Sequence, residues 1–378
     1  MLNHRRLDSA DMSGEFEKDR KPANLNRSLV AWMASLVAVL LSACATTPPP
    51  VDKYTVEIPA GVTDGRARFR EIYCAVLQRA GTELPDYRPC EEALSPVNDE
   101  PTGTGEPVPL GVSRRRLVAA LVPGIGYSCF AAWLDPPGTA AAHVRKYDYG
   151  QILLEVDALS GIETNARQIR DAIMAMPAEP AGPRVVLIGY SKGAPDILEA
   201  VVRYPEIRGR VAAVVSAAGA VRGSALANDA DQHQAELLGH WPGAKCDKGD
   251  GGAVASLRPD VRNAWIAQNP LPPELRYYSL VTLPTPERIS RIISKSYKDL
   301  GRIDWRNDSQ VIYSDEMIPG STLLGFLNAD HWAIAVPLNR SHPAISRSLV
   351  DQNDYPREAM LEALLRFVEE DLDARALH

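Results

Sequence analysis

A serine flanked by two glycines is the part of the sequence whose residue types most directly suggest chemistry. The pentapeptide GYSKG occupies residues 189–193 and follows the apolar run at 185–188. In a tight turn between a strand and a helix, such a serine is lifted above the sheet edge, and its neighbours must be small because the backbone is crowded there. Ser191 would also start the next helix, whose dipole favours negative charge. The motif predicts a nucleophilic serine.

A second Gly-Tyr-Ser sequence occurs earlier in the chain. It ends at Ser128 and lacks the second glycine two residues later. We therefore do not predict a nucleophile at Ser128.

The pattern of hydrophobic residues predicts the strands and helices that position Ser191. From residue 116 onward, short apolar runs alternate with helical patterns, and this alternation is typical of βαβ units with a parallel sheet. The predicted strands are 117–122, 152–156, 185–189, 211–215, 277–283 and 323–327. The predicted helices are 64–80, 161–176, 194–204 and an amphipathic closing helix at 357–372. The helix at 161–176 has Thr164 or Asn165 as its predicted N-cap. A further helix is predicted from one stripe of apolar residues: Ile289, Ile292, Ile293, Tyr297 and Leu300.

The strand, serine turn and helix in this order of elements resemble the α/β-hydrolase family over roughly residues 115–378. The resemblance implies an α/β fold with a mostly parallel central sheet flanked by helices, and an insertion or cap between late strands, here 217–275. We divide the chain into a segment 1–43, a tether 44–63, an N-terminal helix and loop extension 64–115, and the hydrolase domain 116–378. The family needs neither a cofactor nor a metal.

The resemblance also implies a base and an acid, in the family order Ser, acid, His. A serine hydroxyl needs an adjacent base, which a carboxylate orients. His331 directly follows the last predicted strand, where the family has its base. The segment around Asp308 resembles the Asn-Asp-Gly-x-Val of secreted lipases. Asp315 aligns in a similar way and stays an alternative, whereas Asp330 is too close along the chain to reach the far ring nitrogen of His331.

An oxyanion hole needs two backbone N–H groups. By the same resemblance, one belongs to Lys192 and the other to the loop after an early strand, at Ile125 or alternatively Gly126. The family often has His-Gly in this loop, where this chain has Pro-Gly. The Lys192 side chain either raises the local positive potential or points to solvent.

The insertion is rich in Gly, Ala, Asp and Pro. Its large apolar residues either line an acyl pocket or form a small core of their own; they are Leu237, Leu238, Trp241, Trp265 and Ile266. His233 and His240 lack a third partner, and we expect them on the surface rather than on a metal.

The N-terminal segment is predicted to be an export signal. An apolar run at 29–41 is preceded by a polar segment ending in Arg27, a pattern typical of a secretory signal. Leu-Ser-Ala before Cys44 resembles the lipobox of bacterial lipoproteins, which implies lipid on Cys44 and, because Asp does not follow, sorting to the outer membrane. The alternatives are an ordinary signal peptide or a buried helix, and Met12 is a possible start.

Export changes how the other cysteines are interpreted. Cys74, Cys90, Cys129 and Cys246 suggest two disulfides in an oxidising compartment. We favour Cys74–Cys90, a short local loop, which leaves Cys129–Cys246; buried free thiols are the alternative.

Composition excludes several classes. The chain has 378 residues, 45% of them hydrophobic and 24% charged, which are globular values. With a net charge of −7 and no basic patch, nucleic acid is not an expected partner.

We expect a lipid-anchored serine hydrolase in a bacterial envelope, facing the periplasm and cleaving a small-molecule or lipid carboxylic ester through an acyl-enzyme. Acyl transfer, thioester cleavage and a non-catalytic binding role stay open, and the oligomeric state is unreadable.

Overall fold

A parallel sheet forms the centre of the structure. The computed structural model describes residues 53–130, 138–177, 185–230 and 249–376. Within them, seven strands pair in parallel in the order β1-β7-β6-β5-β4-β2-β3. They are β1 Thr63–Asp64, β2 Val118–Val122, β3 Gly150–Leu153, β4 Val185–Tyr190, β5 Val211–Ala217, β6 Tyr277–Thr282 and β7 Thr322–Leu327. The predicted parallel sheet is confirmed.

Helices cover both faces of the sheet. The helices are α1 Arg66–Ala80, α2 Cys90–Ala93, α3 Tyr127–Phe130, α4 Gly138–Arg145, α5 Ile162–Ala175, α6 Gly193–Arg203, α7 Leu226–Asp229, α8 Pro259–Gln268, α9 Ser294–Gly301, α10 Leu338–Ser341, α11 Pro343–Leu349 and α12 Arg357–Ala376. Apolar residues of α1 and α12 pack on one face, and those of α5 and α6 on the other. Strands covered on both faces need no polar alternation, which explains the unbroken apolar runs of β4 and β5.

Several local predictions are wrong in detail. The N-cap of α5 is Gly161, not Thr164 or Asn165. The stripe from Ile289 to Leu300 is not one helix, because two 3₁₀ turns, Pro286–Arg288 and Arg291–Ile293, precede α9 and leave Ile292 exposed. Strand β1 carries no hydrophobic pattern and was not predicted; its pairing with β7 places Asp64 beside Leu323.

The closing helix is longer and less amphipathic than predicted. It extends to Ala376, and charged residues on it are buried. Glu362, for example, pairs with Arg79 of α1, His143 of α4 and Arg366 of α12 itself. The N-terminal extension therefore covers what would otherwise be the polar side of α12.

One predicted disulfide is present. Cys74 of α1 is bonded to Cys90 of α2, with Cα atoms 5.2 Å apart. Cys129 is also disulfide-bonded, whereas Cys246 lies outside the described residues, so the proposed Cys129–Cys246 pairing stays a prediction. Cys44 and the apolar run at 29–41 also lie outside them. In the described ranges, no helix combines the length and apolarity needed to cross a membrane.

The chain reverses direction across the sheet between β2 and β4. From β2 it moves outward to β3 and then returns to add β4 on the other side of β2. In open parallel sheets, such a reversal leaves a crevice at the carboxyl ends of the two strands. Val122 and Gly189 are paired at this edge, so the loop after β2 and the turn after β4 meet there.

Candidate active site

Ser191 lies in a strained turn between β4 and α6. Its φ is +55°, a left-handed conformation that is uncommon for a residue with a side chain. A Cβ on Gly189 would lie 2.4 Å from the backbone of Ala194, and one on Gly193 would lie 2.1 Å from the carbonyl oxygen of Val122. Both glycines are therefore required by backbone contacts, as the motif predicts.

A continuous hydrogen-bonded chain joins three predicted side chains. Ser191 Oγ is 2.9 Å from His331 Nε2, and His331 Nδ1 is 2.5 Å from Asp308 Oδ2. Ser191 is 7% exposed, His331 3% and Asp308 0%. The serine and the histidine are 140 residues apart in sequence. The imidazole can thus accept the serine proton on one side while a carboxylate holds its other nitrogen.

The Asp308 carboxylate has hydrogen-bond donors on both oxygens. The backbone N–H groups of Gln310 and Val311 donate to Oδ1 over 2.9 and 2.8 Å. The hydroxyl of Thr282, at the end of β6, donates to Oδ2 over 2.7 Å. Four hydrogen bonds therefore fix the position of the Asp308 carboxyl group beside the imidazole.

The backbone of His331 is held at two points. Its N–H donates to the carbonyl of Asp308 over 3.0 Å, and its carbonyl accepts the hydroxyl of Tyr190 over 2.7 Å. The rings of Tyr190 and His331 have centroids 5.0 Å apart. Tyr190 was missed as a site residue, because nothing in the motif indicates where its side chain points.

The other two acids do not reach the imidazole. Asp315 lies in the 3₁₀ turn Tyr313–Glu316, where burial raises its pKa to about 6. Asp330 accepts the N–H groups of Ser290, Trp332 and Ala333. Of the candidate acids, the structure brings Asp308 to His331.

The loop after β2 closes tightly over the serine. A Cβ on Gly124 would lie 2.8 Å from Ser191 Cβ and 3.3 Å from its Oγ. The N–H of Gly126 already donates to the carbonyl of Ala158 over 3.2 Å. Within the described residues, no hydrogen bond from the N–H of Ile125 or Lys192 is seen. These contacts favour Ile125 over Gly126 as the second oxyanion donor.

The Lys192 side chain does not point to solvent. It is 1% exposed, and its Nζ lies 2.7 and 2.9 Å from the two carboxylate oxygens of Asp196, one turn further along α6. Asn165 of α5 donates to the same carboxylate over 2.8 Å. Because the side chain is buried, the expectation of a solvent-facing lysine is wrong. Because the ammonium group is paired with Asp196, the turn does not carry an unpaired positive charge either.

Comparison with known proteins decides the family. The metagenomic carboxyl esterase MGS0156 has a TM-score of 0.77 and 38% sequence identity to this chain, over 89% of this chain and 99% of its own. The chain belongs to the carboxyl esterases of the α/β-hydrolase family. It is an enzyme that hydrolyses esters.

Two other solved structures are less similar to this chain than MGS0156 is. Bacillus licheniformis lipase BlEst2 in its mature form has a TM-score of 0.49 and 20% identity, over 64% of this chain and 95% of its own. Staphylococcus hyicus lipase has a TM-score of 0.46 and 13% identity, over 71% of this chain and 99% of its own. No protein-family model matches the sequence, and a search of curated proteins gives no match.

A mainly apolar cavity of about 140 Å³ lies beside the carboxyl edge of the sheet in the esterase. Its walls include Pro123 and Tyr190, which directly precede Gly124 and Ser191, and Ile334, three residues after His331. Ile188, Ala217 and Leu280 of the sheet and Leu364 of α12 extend the lining. The cavity suits an apolar group much better than a charged one.

The two large apolar residues of the insertion that the structure describes pack against the sheet core. Trp265 and Ile266 of α8 pack against the core on the α5–α6 side of the sheet, and the Trp265 indole N–H donates to Glu199 of α6. Trp265 and Ile266 therefore neither line an acyl pocket nor form a separate core of the insertion, and both predictions are wrong for them. Leu237, Leu238, Trp241, His233 and His240 lie outside the described residues. Across the described ranges, no cluster of three metal-ligating side chains is found.

Proposed function

We propose that Ser191, His331 and Asp308 form the catalytic triad with which this esterase cleaves carboxylic esters. The observation that carries the proposal is the hydrogen-bonded chain from Ser191 Oγ through His331 to Asp308. His331 Nε2 takes the hydroxyl proton while Oγ attacks the ester carbonyl, and the imidazolium then protonates the departing alkoxide. Water, deprotonated by the same nitrogen, releases the acid from the acyl-enzyme.

The negative oxygen of the tetrahedral intermediate needs donors that are already in place. We assign this role to the backbone N–H groups of Ile125 and Lys192. Support comes from the contact between Gly124 and Ser191, which brings the loop after β2 to the serine, and from the engagement of the Gly126 N–H elsewhere. Donors of this kind are fixed before the charge develops, so little reorganisation is needed in the transition state.

The substrate we propose is an ester with an apolar acyl or alkyl group. The cavity beside Pro123 and Tyr190 is lined mainly by aliphatic residues. Its volume is small, so we expect short- and medium-chain esters to be preferred over long-chain ones. A carboxyl esterase is also what the similar solved structure is named.

The proposed nucleophile is tested by active-site labelling. We expect a fluorophosphonate probe to label the full-length chain at one serine, because only an activated hydroxyl attacks phosphorus at a useful rate. Mass spectrometry of the labelled peptide is expected to locate the adduct on Ser191. A folded protein that hydrolyses p-nitrophenyl esters but carries the adduct on another serine would contradict the assignment.

We further propose that the esterase is exported and anchored through lipid on Cys44, at the bacterial outer membrane facing the periplasm. The support is the sequence pattern alone, an apolar run followed by Leu-Ser-Ala-Cys. Cys44→Ser is expected to abolish incorporation of labelled palmitate and to move the protein from the membrane to the soluble fraction. A Cys44→Ser protein that still incorporates palmitate would refute the anchor, while Ser128→Ala serves as a control that leaves lipidation unchanged.

A further inference from the structure

Behind the proposed triad lies a second buried carboxyl group, that of Glu316. Glu316 is fully buried in the turn Tyr313–Glu316, next to the carboxyl end of β6. Its carboxyl oxygens contact only Thr282 within the described residues: the Thr282 N–H donates to Oε2 over 2.8 Å, and the Thr282 hydroxyl lies 3.1 Å from both oxygens. The ion pairs found among the described residues do not include Glu316, so none of the described cationic side chains pairs with it.

The Thr282 hydroxyl has a single proton but two carboxyl neighbours. It lies 2.7 Å from Asp308 Oδ2 and 3.1 Å from Glu316. Asp308 is the nearer acceptor, and its carboxyl group is fixed in this position by two backbone amides and by His331. If the Thr282 hydroxyl donates its proton to Asp308, its oxygen has no proton left for Glu316 and can only accept a hydrogen bond from it. The 3.1 Å contact is then a hydrogen bond only when Glu316 carries a proton and donates it.

We propose that Glu316 is a neutral carboxylic acid that acts as a positioning residue, donating a hydrogen bond to Thr282 and thereby directing the Thr282 hydroxyl onto Asp308. The inference rests on the proposed role of Asp308. It extends the hydrogen-bonded chain to five residues: Glu316 donates to Thr282, Thr282 and His331 donate to Asp308, and Ser191 donates to His331.

The surroundings of Glu316 agree with a neutral state. Burial, and then the negative charge of Asp308, raise the pKa of Glu316 well above its usual value; the hydrogen bonds from Thr282 lower it by less, and Asp315 raises it further. A second ionised carboxylate without a cation would be costly in this position.

A neutral Glu316 makes a specific prediction for glutamine. A glutamine amide can donate to the Thr282 oxygen and accept the Thr282 N–H, as the protonated acid does. The pH at which kcat/KM is half-maximal on its rising limb reports the deprotonation of His331. In E316Q, we expect this midpoint to stay within about 0.2 pH units of the wild type, because no charge is removed.

Thr282 supplies the matched comparison. In Thr282→Val, Asp308 loses a donor and interacts more strongly with the imidazolium, so the midpoint should rise by about 0.5–1 pH unit and kcat should fall about 10-fold with KM nearly unchanged. Thr282→Ser keeps the hydroxyl and is expected to restore both. All variants are measured as full-length protein in detergent, with p-nitrophenyl butyrate.

An infrared difference spectrum tests the protonation state without relying on activity. At pH 8, wild type minus E316Q is expected to contain the carbonyl stretch of a protonated carboxylic acid. The proposal is overturned if this band is missing, if E316Q lowers the midpoint by more than about 0.5 pH units, as removal of a charge would, or if Thr282→Val leaves the midpoint in place. Failure of the triad itself would be seen separately, as full activity in Ser191→Ala or Asp308→Asn.

Discussion

Ser191→Ala is expected to lower kcat/KM for a p-nitrophenyl ester by about 10⁴–10⁶-fold, because the covalent pathway needs the Oγ atom. The residual rate would come from the oxyanion donors and from substrate binding, which the substitution leaves in place. Alanine has the same Cβ as serine, so the left-handed backbone at this position acquires no new strain. The melting temperature is therefore expected to change little.

Ser128→Ala is the matched control for this loss. Ser128 follows the same Gly-Tyr dipeptide, but it is exposed and lies in α3. We expect the Ser128→Ala protein to keep wild-type kcat/KM. If Ser191→Ala retained more than about a tenth of the activity, another nucleophile would have to be sought, since loss of the attacking atom cannot be so mild.

Asp308→Asn is expected to have the second-largest effect, a decrease in kcat of about 10³–10⁴-fold. An asparagine amide fits the same space, but it carries no charge to stabilise the imidazolium. Its NH₂ group, if turned toward His331 Nδ1, selects the tautomer in which Nε2 carries the proton and cannot accept one from Ser191. Steady-state kinetics with a p-nitrophenyl ester at pH 8 measure the loss.

Asp315→Asn distinguishes a catalytic carboxylate from a merely buried one. Because Asp315 does not contact His331, we expect kcat within about 2-fold of the wild type.

Burial raises the pKa of Asp315 from 3.8 to about 6. The stability that the neutral acid contributes is therefore complete below pH 3.8 and is lost as the pH rises through 6. Asp315→Asn should thus gain stability relative to the wild type at pH 8 but not at pH 3.5, as measured by urea unfolding. A large loss of kcat in Asp315→Asn would reverse the assignment of the acid.

The buried residues around the site show where local patterns stop being informative. Lys192 is a charged residue in a turn, and its burial follows from Asp196 one helical turn later and from Asn165 on another helix. The place of Trp265 in the insertion predicts either a pocket lining or a separate small core, yet the residue packs against α6. Both outcomes depend on which surfaces meet after folding.

The amino-acid sequence by itself determined the fold class, the strained serine turn and the position of His331 after the last strand. These features depend on short-range causes: apolar runs that need cover on both faces, glycines that the backbone crowds, and the order of elements along the chain. Only the tertiary structure showed that Asp308 and not Asp315 contacts His331, that the Gly126 N–H is engaged elsewhere, and that Glu316 contacts Thr282. These contacts rest on hydrogen bonds between groups brought together from different strands and loops, and a side chain's spacing in sequence does not report which of several equivalent acids reaches the imidazole.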